Sequence, residues 1–111
     1  TAAYLGFSEA ENPNNSIQFI LMRRDDGKGL VAGYRIVKDG SDSKSVKIAE
    51  LGAKEWVKVS MKIRNGRVEI ALNEQKKITE NTALLRVIPY VSVSSGKARF
   101  EILNTRNPRN R

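Results

Sequence analysis

The segment from Val57 to Leu72 constrains this chain more than any other. Val57, Val59, Met61 and Ile63 alternate with Lys58, Ser60, Lys62 and Arg64, the period-two pattern of a strand with one face buried. Asn65-Gly66 follows, the pair preferred in a two-residue type I′ hairpin turn because both central residues need positive φ. Beyond it Val68, Ile70 and Leu72 alternate with Arg67, Glu69 and Ala71. A two-residue turn sets Arg64 opposite Arg67, hence Ile63 opposite Val68, Met61 opposite Ile70 and Val59 opposite Leu72. Each apolar residue meets another on one face. On the other, Lys62 meets Glu69, a cross-strand pair worth about 0.2–1 kcal/mol. A slip of one residue would turn each apolar set towards water.

The same signals recur along the chain. Ser16 to Lys38 reads as a second hairpin, with Asp25-Asp26-Gly27-Lys28-Gly29 as its turn and Leu30 to Val37 as the return strand. Ile17, Phe19 and Leu21 share one face of its first strand, and Ile20 and Met22 the other. Apolar residues on both faces predict cover on each side. Tyr4 to Phe7 supplies a first strand. A strand over Ser45 to Ala49 follows the loop Asp39-Gly40-Ser41-Asp42-Ser43, whose residues favour turns. Leu85, Val87, Pro89, Val91 and Val93 share a face of an extended run, and Pro89 marks an edge or a bulge because it has no N–H to donate. Ser94-Ser95-Gly96 turns the chain into Ala98, Phe100 and Ile102. Ser8 to Asn12 is too short for a helix, and Glu74 to Thr82 lacks a sustained apolar stripe. The expectation is an all-β antiparallel sandwich of about eight short strands, with turn signals every ~8–12 residues.

A chain of 111 residues suits one domain, here 1–103, followed by a basic tail, 104–111, that has no apolar residue and is expected to be mobile. Without cysteine there is no disulfide, thiolate site or cysteine nucleophile. Without histidine the usual neutral-pH base and the commonest zinc ligand are missing. No apolar run approaches the ~20 residues of a membrane-spanning helix, so membrane insertion is not expected. The chain begins at Thr1 and shows no basic-then-apolar leader, which suggests a piece processed or cut from something longer. The formal charge is +8 and the pI about 10.1. Such a balance invites a polyanion; equally, dispersed charge of this size keeps a small domain in solution.

Glu55-Trp56-Val57-Lys58-Val59 leading into Asn65-Gly66-Arg67-Val68-Glu69-Ile70, together with Pro89-Tyr90-Val91-Ser92-Val93-Ser94-Ser95-Gly96-Lys97-Ala98-Arg99-Phe100, resembles the concanavalin A-like (laminin-G-like) lectin/glucanase sandwich. A Trp opening a strand, a tight Asn-Gly hairpin and a Ser/Gly turn before a small-residue and Phe strand are similar to that family's pattern. The order of elements matches over about residues 4 to 103, in a reduced or truncated version of the usual length. The resemblance implies a jelly-roll fold and, more loosely, glycan recognition by an accessory domain of a larger exported protein. The Glu-x-Asp-x-Glu catalytic strand of the laminarinase-type members is absent, so hydrolysis is not implied.

The residues themselves argue against catalysis. Glycoside hydrolysis needs two carboxylates facing one bond. Asp25-Asp26 and Asp39 with Asp42 sit in turns, where Asp bonds its own backbone, and Glu69 and Glu101 alternate outward beside Lys and Arg. A Ser–Lys pair is the remaining nucleophilic route, and no motif supports one. Asp39, Asp42 and loop carbonyls are the hard oxygen donors calcium takes, but an ordinary polar loop accounts for them, and neither metal nor cofactor is expected. Binding is better supported. Aromatic faces suit sugar rings, which singles out Tyr34, Tyr90 and Trp56, with Tyr4 beside them. Tyr34 and Tyr90 are expected to be exposed, and Trp56 to pack at the sandwich edge. Lys58, Lys62, Arg64 and Arg67 project from one face of the hairpin, with Glu69 partly offsetting them, and suit an acidic glycan or nucleic acid. No aromatic is interleaved with them for base stacking. A protein-interaction module or homo-oligomer using an exposed sheet face or edge is a third reading. Asn14-Asn15-Ser16 is an acceptor for N-glycosylation in a secretory pathway.

Overall fold

In the computed structural model, residues 2–52, 56–84 and 86–94 are described. They form the strands β1 (Ala2–Glu9), β2 (Ser16–Arg23), β3 (Leu30–Lys38), β4 (Ser41–Leu51), β5 (Val59–Arg64), β6 (Arg67–Leu72), β7 (Gln75–Asn81) and β8 (Val87–Val93). A large sheet has the order β4-β3-β2-β1-β8 and a small sheet the order β5-β6-β7. All pairings are antiparallel. The strand expected around Ala98 to Ile102, the domain boundary at 103 and the tail 104–111 lie outside the described residues.

The sheets share one apolar core. The large sheet contributes Ile17, Phe19, Ala32 and Tyr34, the small sheet Val68, Ile70 and Leu72, with Leu5, Phe7, Leu21, Ile36, Val46, Met61, Ile63 and Ile78 packed around them. Val68 and Ile70 are completely buried, each a contribution of about 1.5–3 kcal/mol to holding the sheets together. The fold is therefore all-β, two antiparallel sheets meeting across a single core.

The β5–β6 hairpin has the register derived from the sequence, Ile63 opposite Val68 and Lys62 opposite Glu69. Asn65 and Gly66 both have positive φ, 52° and 73°, as the type I′ turn requires. Two further connections use the same device. Asp39 (φ 54°) and Gly40 (φ 83°) join β3 to β4, so β4 starts at Ser41 rather than Ser45. Asn73 (φ 52°) and Glu74 (φ 69°) join β6 to β7. The segment after Glu74, which shows no clear period in the sequence, is thus a strand whose pairing is dictated by its neighbour. Its pattern is broken by a register shift opposite Ile70/Ala71.

Among the described strands β8 lies at the edge of the large sheet, where Pro89 is tolerated. On β2 the outward side chain of Met22 is 45 % exposed, so the face expected to be covered meets solvent instead.

Candidate functional site

The β2–β3 connection decides which tyrosines reach the surface. If only Asp25 to Gly29 formed the turn, Arg24 would face Leu30 and Tyr34 would face Ile20, on the outer side. The observed pairing closes one residue earlier, Arg23 opposite Leu30, and sets Tyr34 opposite Phe19. One residue of register exchanges the faces of a strand. Tyr34 is consequently a core residue, 2 % exposed, which corrects its assignment as an exposed sugar platform.

Inside the core Tyr34 has a partner that no sequence pattern announced. Glu80 on β7 pairs with Val68 and so points inward. Its carboxylate accepts a short hydrogen bond from the Tyr34 hydroxyl and another from Lys44 Nζ on β4 at 2.5 Å. The Lys44 bond, then the Tyr34 bond, hold the Glu80 carboxyl below the usual carboxylate range. Burial, then the neighbouring carboxylate, pushes the Tyr34 phenol up. The bond to Glu80 raises Lys44. This triad joins the two sheets by polar contacts.

The outer face of the large sheet carries a different arrangement. Gln18 and Tyr90 both pair with Gly6, and Arg35 pairs with Gln18, so these residues form one row across β3, β2, β1 and β8. Tyr4 stands beside the row on β1. Gly6 has no side chain, and Tyr90 lies against the backbone there: a Cβ on Gly6 would fall 2.9 Å from Tyr90 Cζ and Oη. Arg35 Nε donates to Gln18 Oε1 at 2.5 Å, and its guanidinium sits 5.7 Å from the centre of the Tyr4 ring. A longer contact, 3.6 Å, ties Arg35 Nη1 to Asp42 Oδ2. The result is an open strip of two half-buried aromatic rings beside planar hydrogen-bonding groups, fixed by their neighbours. Next to it, Ile20, Met22, Val31, Gly33 and Lys47 line a shallow apolar pit of about 140 Å³.

Among the residues expected to bind sugar, Tyr90 takes its place in this row and Tyr34 does not. Trp56 is half exposed and leads into β5 of the small sheet, so it does not join Tyr90. Gln18, Arg35 and Gly6 went unnoticed in the sequence. A glycine inside an alternating strand signals close approach by another group, and Gly6 is such a position.

The basic residues do share a face. In the β5–β6 register Lys62, Arg64 and Arg67 alternate with the inward Met61, Ile63 and Val68, and all three are exposed. Lys58 extends the row before β5. Its ammonium is engaged by Glu74 at 2.6 Å, which lowers the Glu74 carboxyl. Lys62, Arg64 and Arg67 make no ion pair with a described residue.

Asp39 belongs to a tight turn and Asp42 to the contact with Arg35. Among the described residues no group of three or more His, Cys, Asp or Glu is placed to hold a metal ion, and no helix is long and apolar enough to cross a membrane. Asn14 is exposed on the loop between β1 and β2, where its carbonyl accepts from the Gly40 N–H. No family model, curated protein or solved structure matches the chain.

Proposed function

We propose that this is a non-catalytic carbohydrate-binding domain, a sandwich of the concanavalin A-like jelly-roll kind serving a larger protein, and that it holds sugar on the outer face of its large sheet. The observation that supports this reading is the row Tyr90, Gln18, Arg35, with Tyr90 lying on Gly6 and Arg35 fixed against Tyr4. A sugar ring has apolar C–H faces and a rim of hydroxyls. Aromatic rings serve the first. Guanidinium and carboxamide groups serve the second, with donors and acceptors in fixed planes.

The strip is open rather than enclosed, which suits a polymer lying across the strands better than a small molecule buried in a cleft of about 300–1,000 Å³. Many of the described carboxylates are held by cations or a phenol: Asp26 by Arg24, Asp42 by Arg35 of the row itself, Glu50 by Arg24 and Lys47, Glu74 by Lys58, Glu80 by Tyr34 and Lys44. A pair poised for acid–base work on a glycosidic bond would need a different arrangement.

Retention on neutral polysaccharide gels and a glycan array test this reading. Tyr90→Ala abolishes retention, whereas Tyr34→Phe, changed only in the core, keeps it. Absence of any bound glycan at every salt concentration, or binding unaffected by Tyr90→Ala, overturns it. A stable homodimer in light scattering would then move a protein-interaction role to first place.

A further inference from the structure

A second surface lies on the opposite side of the molecule from the tyrosine row. We propose that the outer face of the small sheet docks an anionic polysaccharide through Lys62, Arg64 and Arg67. This goes beyond the sugar-binding reading and does not depend on it, because the two faces belong to different sheets and share no residue.

The geometry concentrates charge. Lys62 and Arg64 are two residues apart on β5, about 7 Å along the strand, and Arg64 is the direct cross-strand partner of Arg67, with backbones about 5 Å apart. Three exposed cations thus occupy one end of a flat face. Like charges directly opposite each other are destabilising. Glu69 stands opposite Lys62 and offsets it in part, but Arg64 and Arg67 face one another and make no ion pair with a described residue. Lys58 shows the contrast: it lies in the same row but is already held by Glu74, so it contributes little free charge. A surface that keeps unneutralised cations together is complementary to a chain that brings anions in series.

The face also selects among polyanions. Duplex DNA presents a negative charge every ~1.7 Å of axis, and single strands are held by aromatic rings interleaved with the charge. Here Glu69 stands between strands on the same face, opposite Lys62 and Thr79, so the cations are spaced rather than an unbroken series. No aromatic residue lies on the outer face of β5 or β6. The half-exposed Trp56 stands at the end of the row, two residues before Lys58, where a sugar ring extending from the cations could rest. A polysaccharide with spaced sulfates or carboxylates fits cations, an intervening carboxylate and a terminal ring together.

The test measures heparin affinity by titration across a salt series, with duplex DNA of matched length and a neutral polysaccharide as comparators. Lys62→Ala/Arg64→Ala lowers heparin affinity about tenfold at ~0.15 M salt and reduces the salt slope by about two. Arg67→Gln, a milder change, gives a smaller loss in the same direction. Lys28→Ala/Lys38→Ala removes the same charge from the β2–β3 connection and the end of β3 in the large sheet, and Tyr90→Ala removes the other face; both leave heparin affinity within twofold. Circular dichroism and unfolding midpoints confirm that each variant is folded. An equal loss in the Lys28/Lys38 variant means net charge alone is responsible and overturns the proposal. DNA bound as tightly as heparin at the same salt also overturns it.

Discussion

Tyr34 shows how much a single position can hide. Its neighbours Ala32 and Ile36 are apolar, but so are Val31 and Val37 on the other face, so alternation alone leaves the side of β3 undecided. Burial of the ring is settled by the pairing with Phe19. Burial of the hydroxyl is settled by Glu80, 46 residues away. That partner has no local signal, because a carboxylate in a strand reads as a solvent-facing residue until a cation and a phenol are brought against it by tertiary packing. A hydrogen bond to a charged group is worth about 1.5–3 kcal/mol. Tyr34→Phe is accordingly expected to lower stability by about that amount without disturbing the core, since only an oxygen is removed. Urea unfolding checks it: the midpoint falls while the m-value is unchanged.

Among the elements, the two-residue turns were the most legible. Where Asn65-Gly66 fixes the loop length, every pairing of β5 with β6 follows by counting, and so does the face that carries Lys62, Arg64 and Arg67. Where the loop is longer, as between β2 and β3, one residue of ambiguity in its length leaves the face of Tyr34 undecided. Asn73-Glu74 makes the same kind of turn with poorer chemistry, because Glu74 has a side chain at φ 69°. A left-handed conformation costs a residue with a Cβ roughly 1–2 kcal/mol. Gly66→Ala, at φ 73°, is therefore expected to destabilise by about that much. Glu74→Gly has the opposite sign: it relieves the strain and loses only an exposed, salt-screened ion pair with Lys58, which contributes little. Thermal midpoints of the two variants, one lowered and one raised, separate turn strain from a general intolerance of change at hairpins. β7 went unread for the related reason that its register shift breaks the period of two.

For the whole molecule, the triad at Glu80 predicts how stability depends on pH. The folded carboxyl titrates below its usual range, so the folded protein keeps Glu80 ionised where the unfolded chain already takes up a proton. Its stabilisation is present above the unfolded value of about 4.3 and is lost as the pH falls through the lower folded value. Tyr34 and Lys44 have the reverse sense. Both are raised in the folded state, so their contribution is present below about pH 10 and is lost as the pH rises through their folded values. The triad is intact only between these limits. Acid also protonates exposed carboxylates and drives the net charge above +8, and self-repulsion then destabilises any variant. The useful quantity is a difference: the stability of the native chain minus that of Glu80→Gln, followed by urea unfolding from about pH 7 to about pH 2.5. General repulsion is nearly common to both and largely cancels. The difference is positive at neutral pH and shrinks towards zero below the carboxylate range; a difference that stays constant across the acid limb would mean that Glu80 acts through shape and not through its charge.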